Sequence, residues 1–531
     1  MRPLLAALLC ARVLAADTYS RQPDIDVQHY IFRVTLSDDS AAITGETTVA
    51  LQFRKDGVTE AALDLAGASN GKGMTVDAVT ADSGSVRYHH EADRLHLTFP
   101  PAKSGEVRQF TVQYHGTPSG GLKAITNKFG ERVFFSVNWP DMAHQWLPTI
   151  DHPYDKATSE FVVTAPSKYQ VVANGLLVEE IDLGDGRRTT HWKQSVPIAT
   201  WLDNIGVAQF ASRHFGRAAG VPLESWLFHQ DRDNGIATFE QPLRRAIEFY
   251  SDRIGPYPYE KLAAVEAAGM GGGMEHASEI FFGERAVTGR PASGLVAHET
   301  AHQWFGDSVT ENDWDDVWLS EGFATYFALL TAEHYEGRQA LVAGLQRGRT
   351  SVFTAESRLP GVAVVQDKPW KGIPNQIVYQ KGGWCLHMLR GQVGTEEFWA
   401  GIREYYRRFR DGNASTADFR KVMEEVSGQE LGWFFRQWLY RAGSPVLEGG
   451  WKYDQARHSI EIDLAQTEPG DAFRLPLEIG IRSAAGAPAK IASMQMTEKR
   501  QHFSVATDRE PASVELDPDT WLLAQTHFSK R

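Results

Sequence analysis

Val296-Ala-His-Glu-Thr-Ala-His-Gln-Trp304 is the stretch on which the reading of this chain turns. Helical periodicity runs through residues 292 to 306, so His298 and His302, four apart, project from one helical face. Two imidazoles at that spacing can share one metal ion, and Glu299 between them is close enough to that face to reach a water on the metal. A chain of this composition contains of order 0.04 H-E-x-x-H pentapeptides by chance. The plain alternative, a solvated helical face that happens to carry two His and a Glu, stays open on the pentapeptide alone.

The next carboxylate narrows that alternative. Glu321 follows His302 after eighteen intervening residues, inside Trp318-Leu-Ser-Glu-Gly-Phe-Ala-Thr-Tyr-Phe327, where a second helix begins and returns toward the first. Two imidazoles and one carboxylate suit Zn²⁺, one per chain, and leave a fourth position open, as catalytic rather than structural zinc sites do. Zinc brings the pKa of a bound water toward about 7, and Glu299 is placed to take that proton and return it to a leaving amine. The second ring nitrogens of the histidines need acceptors. Asp307, Asp315 and Asp316 are candidates, and the sequence does not choose among them.

Around this centre the texture of the chain divides. Tyr30, Phe32, Val34 and Leu36 alternate with polar residues, as do Thr47, Val49, Leu51 and Phe53, which predicts a large β region with sheets packed as a sandwich or saddle up to about residue 210. Leu243, Ile247, Tyr250 and Ile254 then fall at helical spacing, with further helical stretches at residues 320 to 335 and 378 to 390. Alternation returns after Gly443, in Ile460, Ile462 and Leu464 and in Leu475, Leu477, Ile479 and Ile481. The expected fold is therefore multidomain α+β, consistent with 531 residues, a length beyond one hydrophobic core.

Composition excludes some partners. The 54 Lys and Arg against 67 Asp and Glu leave a net charge of −13, with no basic run to follow a phosphate backbone, so nucleic acid is not expected. No stretch approaches the roughly 18 apolar residues of a membrane span. The first residues, MRPLLAALLCARVLAA, place Arg2 before an apolar run and end in Ala15-Ala16, the pattern of a signal peptide, so export to the periplasm or beyond is expected. Cleavage there would remove Cys10 and leave Cys385 without a disulfide partner.

The sequence resembles the gluzincin zinc aminopeptidases, the family of aminopeptidase N and leukotriene hydrolase. The segments that carry the resemblance are DVQHYIFRVTL (26–36), WLPTIDHPYDKAT (146–158), GPYPYEKL (255–262), GGMEH (272–276), HETAHQWFGDSVT (298–310), WLSEGFATYF (318–327) and VYQKGG (378–383). The resemblance implies a signal peptide over 1–16, an N-terminal β domain over 17–210, a thermolysin-like zinc catalytic domain over 211–442 and a small C-terminal β-sandwich over 443–531. It also implies peptide substrates with a free N-terminus. The family's Gly-x-Met-Glu-Asn motif falls on Gly272, Gly273, Met274, Glu275 and His276, with His276 in place of Asn. In the family that glutamate binds the substrate's α-amine, and the glycine backbone pairs with the peptide. Tyr379 matches the tyrosine that hydrogen-bonds the developing oxyanion.

Two departures stand out. Many relatives carry an acidic or amide residue as a second amine contact where Trp139 stands here, beside Asn138, and many continue into a large helical domain where this sequence stops. Three functions remain on this reading: an aminopeptidase; an endopeptidase or epoxide hydrolase on the same zinc site; and a noncatalytic peptide-binding protein. Oligomeric state is not legible.

Overall fold

A computed structural model describes residues 17–82, 84–365 and 375–531; the expected signal peptide over 1–16 lies outside the described residues. The N-terminal part is built on an eight-stranded sheet whose centre is the strand Ile25–Thr35, parallel to Lys156–Pro166 on one side and antiparallel to Ile43–Phe53 on the other. The alternation read from the sequence is the burial pattern. Tyr30 faces Val49 and Phe32 faces Thr47 across the ladder, and all four are buried. A four-stranded and a three-stranded sheet complete this β-rich region.

The central region opens with strands that helical periodicity did not reveal. Phe210–Ala218, Val221–Phe228, Leu262–Ala267, Glu279–Gly283 and the two-residue edge strand Gly273–Met274 form a five-stranded sheet. Leu262–Ala267 and Glu279–Gly283 are buried on both faces and Gly273–Met274 is only two residues long, so neither a period of two nor one of 3.6 marks them. Among the described residues eight α-helices follow the strand Val221–Phe228: α1 (Arg232–Arg253), α2 (Ser293–His302), α3 (Trp318–Glu336), α4 (Arg338–Arg358), α5 (Gly382–Val393), α6 (Thr395–Phe409), α7 (Thr416–Ser427) and α8 (Gly432–Trp438). After Val446 the chain forms a four-stranded and a three-stranded sheet, whose buried residues include Trp451, Ile460, Ile462, Leu475, Leu477 and Ile479.

The β-rich and helical regions are joined through a buried cation. Lys156, from the central sheet, buries its ammonium against the carbonyls of Asp307 at 2.9 Å and Ser308 at 2.8 Å, in the turn just after α2. Burial lowers this lysine to about 8. Among the described residues no helix is long and apolar enough to cross a membrane.

Candidate metal centre and its cleft

Helices α2 and α3 pack against each other and bring three donor atoms to one point. His298 Nε2 lies 3.2 Å from His302 Nε2, and Glu321 Oε2 lies 3.5 Å and 3.4 Å from the two nitrogens. Ligands about 2.0–2.1 Å from a tetrahedral zinc stand about 3.3 Å apart, so this triangle fits such an ion. Glu321 Oε2 is also buried without a hydrogen-bond partner, as an acceptor reserved for a cation would be. Burial alone would raise Glu321, but the facing imidazoles outweigh it and hold the carboxylate at about 2.

Behind His302 the support is neither Asp307 nor Asp316, two of the three aspartates that the sequence offers for it. His302 Nδ1 is met by the Ser320 hydroxyl at 2.9 Å and the Phe305 carbonyl at 3.3 Å. Asp307 instead accepts from Gln303 Nε2 at 2.8 Å, and Asp316 binds the backbone and hydroxyl of Thr416 at the start of α7. Ser320 sits beside Glu321 in sequence, so its adjacency to a ligand was the one signal available.

Glu299 and Glu275 converge with His302 to form a second group of close donor atoms. Glu275 Oε1 lies 3.9 Å from His302 Nδ1. The edge strand Gly273–Met274 runs directly over Glu299, and a Cβ on Gly273 would overlap that side chain, so only glycine permits the approach. Burial raises both carboxyl groups, Glu275 to about 7 and Glu299 well above the usual range, where proximity to Glu275 adds to the effect. Two buried carboxylates side by side favour a cation between or beside them. Met274 is buried, and His276 is fully buried with its ring edge-on to Phe281 at 4.8 Å, so the His276 imidazole is a core group that reaches no solvent.

Tyr379 arrives on a π-helical turn, Gln376–Lys381, that leads into α5. Its hydroxyl donates to Glu321 Oε1, and its ring stacks on His298 at 5.9 Å. The turn can come this close because α3 and α5 touch backbone to backbone, with a Cβ on Gly322 falling 3.0 Å from the Gly382 carbonyl carbon. Burial and then the Glu321 carboxylate raise the phenol above its ordinary value, so it stays an O–H donor.

A cavity of about 680 Å³ opens from His298 and Tyr379 and runs between α1, α3 and α4. His298 keeps 19% of its side chain exposed on this side, whereas His302, 1% exposed, backs onto Glu275. Of the three donors, His298 lines the cavity and His302 is the one that lies against Glu275. At the second expected amine contact, Trp139 packs edge-on against Trp201 and Trp314, each at 5.0 Å. Asn138 is fully buried, with its Nδ2 donating to Asp203 O and its Oδ1 accepting from Trp146 Nε1.

Fold and donor set together define a protein built around one zinc site of the open, three-ligand kind. The chain matches the Peptidase M1 N-terminal domain over residues 26–202 and the Peptidase family M1 domain over 241–438. It belongs to peptidase family M1, whose cofactor is a single zinc ion. A solved M1 zinc metallopeptidase from Deinococcus radiodurans superposes with a TM-score of 0.68 at 27% identity, covering 79% of this chain and 94% of that one. A two-domain M1 zinc metallopeptidase mutant bound to L-tryptophan gives the same TM-score at 26% identity, with 78% and 94% covered. Among curated relatives, glutamyl aminopeptidase of Rattus norvegicus is 26% identical over 408 residues, 72% of this chain and 43% of its own length. Aminopeptidase A of Gloydius brevicauda is 27% identical over 438 residues, 78% and 45%. The chain spans about half the length of the curated relatives it matches.

Proposed function

We propose that this protein is a zinc aminopeptidase, which removes N-terminal residues from peptides. The observation that carries the reading is the position of Glu275, a buried carboxylate against His302 of the donor triangle, while the cavity is lined by His298 and not by Glu275. A carboxylate there pairs with the α-ammonium of a substrate and so measures one residue to the metal. An internal stretch of peptide has no ammonium to offer, which argues against endopeptidase action.

His298, His302 and Glu321 hold the ion, which when bound supplies Lewis-acid polarisation of a carbonyl and acidifies a water. Glu299 takes the proton from the attacking water and passes it to the departing amine nitrogen. The Tyr379 hydroxyl donates to the oxygen that gains charge at the scissile carbon. Gly272 and Gly273, on the free edge of the five-stranded sheet, offer backbone groups to the peptide as an added strand. Met274 and His276 support this edge from the core. Export through residues 1–16 is proposed on the sequence pattern alone.

The test is hydrolysis of a panel of amino-acid anilides and their N-acetylated counterparts by the purified protein, before and after chelation and zinc restoration. Zinc-dependent cleavage of the free-amine set alone supports the reading. Equal cleavage of the acetylated set overturns it.

A further inference from the structure

The cavity beyond the donor triangle has chemistry of its own. If Glu275 holds the N-terminus on the His302 side, the peptide after the scissile bond leaves on the His298 side, into the space between α1, α3 and α4. Ala297 and Ala328 are among the small residues that line it. At about 680 Å³ it lies within the range of small-ligand pockets.

Two arginines line it, Arg245 from α1 and Arg347 from α4. The Arg245 guanidinium lies over the Tyr335 ring at 4.9 Å, and the Tyr335 hydroxyl returns a hydrogen bond to the Arg245 carbonyl at 3.1 Å. Among the described residues no carboxylate comes within 4.0 Å of either guanidinium. Their neighbours are different: Arg338 and Arg390 both bind Glu333, at 3.1 Å and 2.8 Å, and Arg349 faces Asp517 at 3.7 Å. One acidic residue, Glu336, lines the same cavity, so two arginines and a single carboxylate share its wall, in a chain whose net charge is −13.

We propose that Arg245 and Arg347 select peptides with a carboxylate in the first few residues after the scissile bond. A guanidinium fork suits that group. The carboxylate has two sources, an Asp or Glu side chain or the C-terminus of a short peptide. This inference rests on the aminopeptidase reading, because Glu275 sets the direction in which the peptide runs.

The experiment uses the N-terminal residue X that the anilide panel prefers, in two matched pairs. X-Ala-Glu-amide against X-Ala-Gln-amide tests the side-chain source, and X-Ala-Ala acid against X-Ala-Ala-amide tests the C-terminal source. The wild type is expected to favour the carboxylate in at least one pair by roughly three- to tenfold in kcat/KM, the size of a partly exposed ion pair. The preference shrinks as salt is raised. In Arg245→Gln/Arg347→Gln the ratio falls to about one. Equal rates within both pairs for the wild type, or a ratio that survives the double substitution in a folded protein, overturns the proposal. Absence of any zinc-dependent anilide hydrolysis is a different result and removes the aminopeptidase reading itself.

Discussion

Gln303 Nε2 lies 3.0 Å from the backbone oxygen of Glu275, and this one amide ties the end of α2 to the loop that follows the Gly273–Met274 edge strand. The same nitrogen donates to His276 O at 3.2 Å and to Asp307 Oδ2 at 2.8 Å, while Oε1 accepts from Ser278 N at 2.9 Å and Tyr257 Oη at 3.0 Å. Gln303 is fully buried and follows His302 directly, so it holds Glu275 at a fixed offset from the metal ligands.

Gln303→Ala strands several buried partners at once and is expected to destabilise the protein by about 3 kcal/mol. Gln303→Glu keeps the acceptor for Ser278 and Tyr257 but removes the donor and sets a carboxyl against Asp307. If Gln303 positions Glu275, Gln303→Glu raises KM for free-amine substrates and narrows the gap between free and acetylated substrates. A purely structural role would lower the melting temperature and leave that gap unchanged.

Glu299→Gln separates proton transfer from metal binding. The three ligand side chains are untouched, so zinc content by elemental analysis stays at one per chain. Turnover is expected to fall on the order of 10²–10⁴-fold, the usual contribution of a positioned acid-base group. A variant that keeps wild-type kcat would remove Glu299 from the mechanism.

The ligand set was legible because its spacing is set by helix geometry. His298 and His302 share a face through the 3.6-residue period, and Glu321 lies in a stretch with a visible helix start. The β saddle was legible for a similar reason, since Tyr30, Phe32, Val49 and Leu51 alternate on a sheet with one buried face. Other features leave no local signature. The inner strands of the five-stranded sheet, Leu262–Ala267 and Glu279–Gly283, are too buried to show a period, and Ser320 reaches His302 only through the turn after α2. The cavity that brings Arg245 toward Arg347 joins residues about a hundred positions apart, and no pattern in either helix announces it. Glu275 and Tyr379 were reached by resemblance, because a lone Glu after a glycine run reads as a turn.

Tyr379→Phe removes the hydroxyl that donates to Glu321 and, on the proposed mechanism, to the developing oxyanion, while leaving the ring stacked on His298. Stabilisation confined to the transition state is lost, so kcat should fall about 10²–10³-fold with KM within about threefold of wild type. A fall carried mainly by KM would place Tyr379 in ground-state binding instead.

Chelation should lower the melting temperature as well as activity. The ion would sit between two imidazoles and a buried carboxylate whose donor atoms lie 3.2 to 3.5 Å apart. A ligand bound only to the native state stabilises it in proportion to its binding free energy, so a loss of several degrees, reversed by zinc, is expected in scanning calorimetry. An unchanged melting temperature on full removal of metal would mean the triangle is held by the protein alone.

Asp203 gives a pH dependence independent of the metal. It is buried beside the Trp139 loop, where Ser159 donates to Oδ1 at 2.6 Å and Asn138 donates to its carbonyl. Burial pushes its carboxyl up to about 8, with the like charge of Asp151 adding to the effect and the Ser159 bond opposing it. An unfolded aspartate titrates near about 3.9, so the native state keeps a proton that the unfolded state gives up. The stability contributed by that proton is fully present below about pH 4 and is lost as pH rises through about 8. Asp203→Asn mimics the protonated form throughout. Its stability relative to wild type should therefore be near zero at pH 4 and increasingly favourable by pH 8, reaching on the order of a few kcal/mol. Denaturant titration of both proteins at pH 5 and pH 8 measures the difference, and parallel curves at the two values would show that Asp203 is ionised in the native protein.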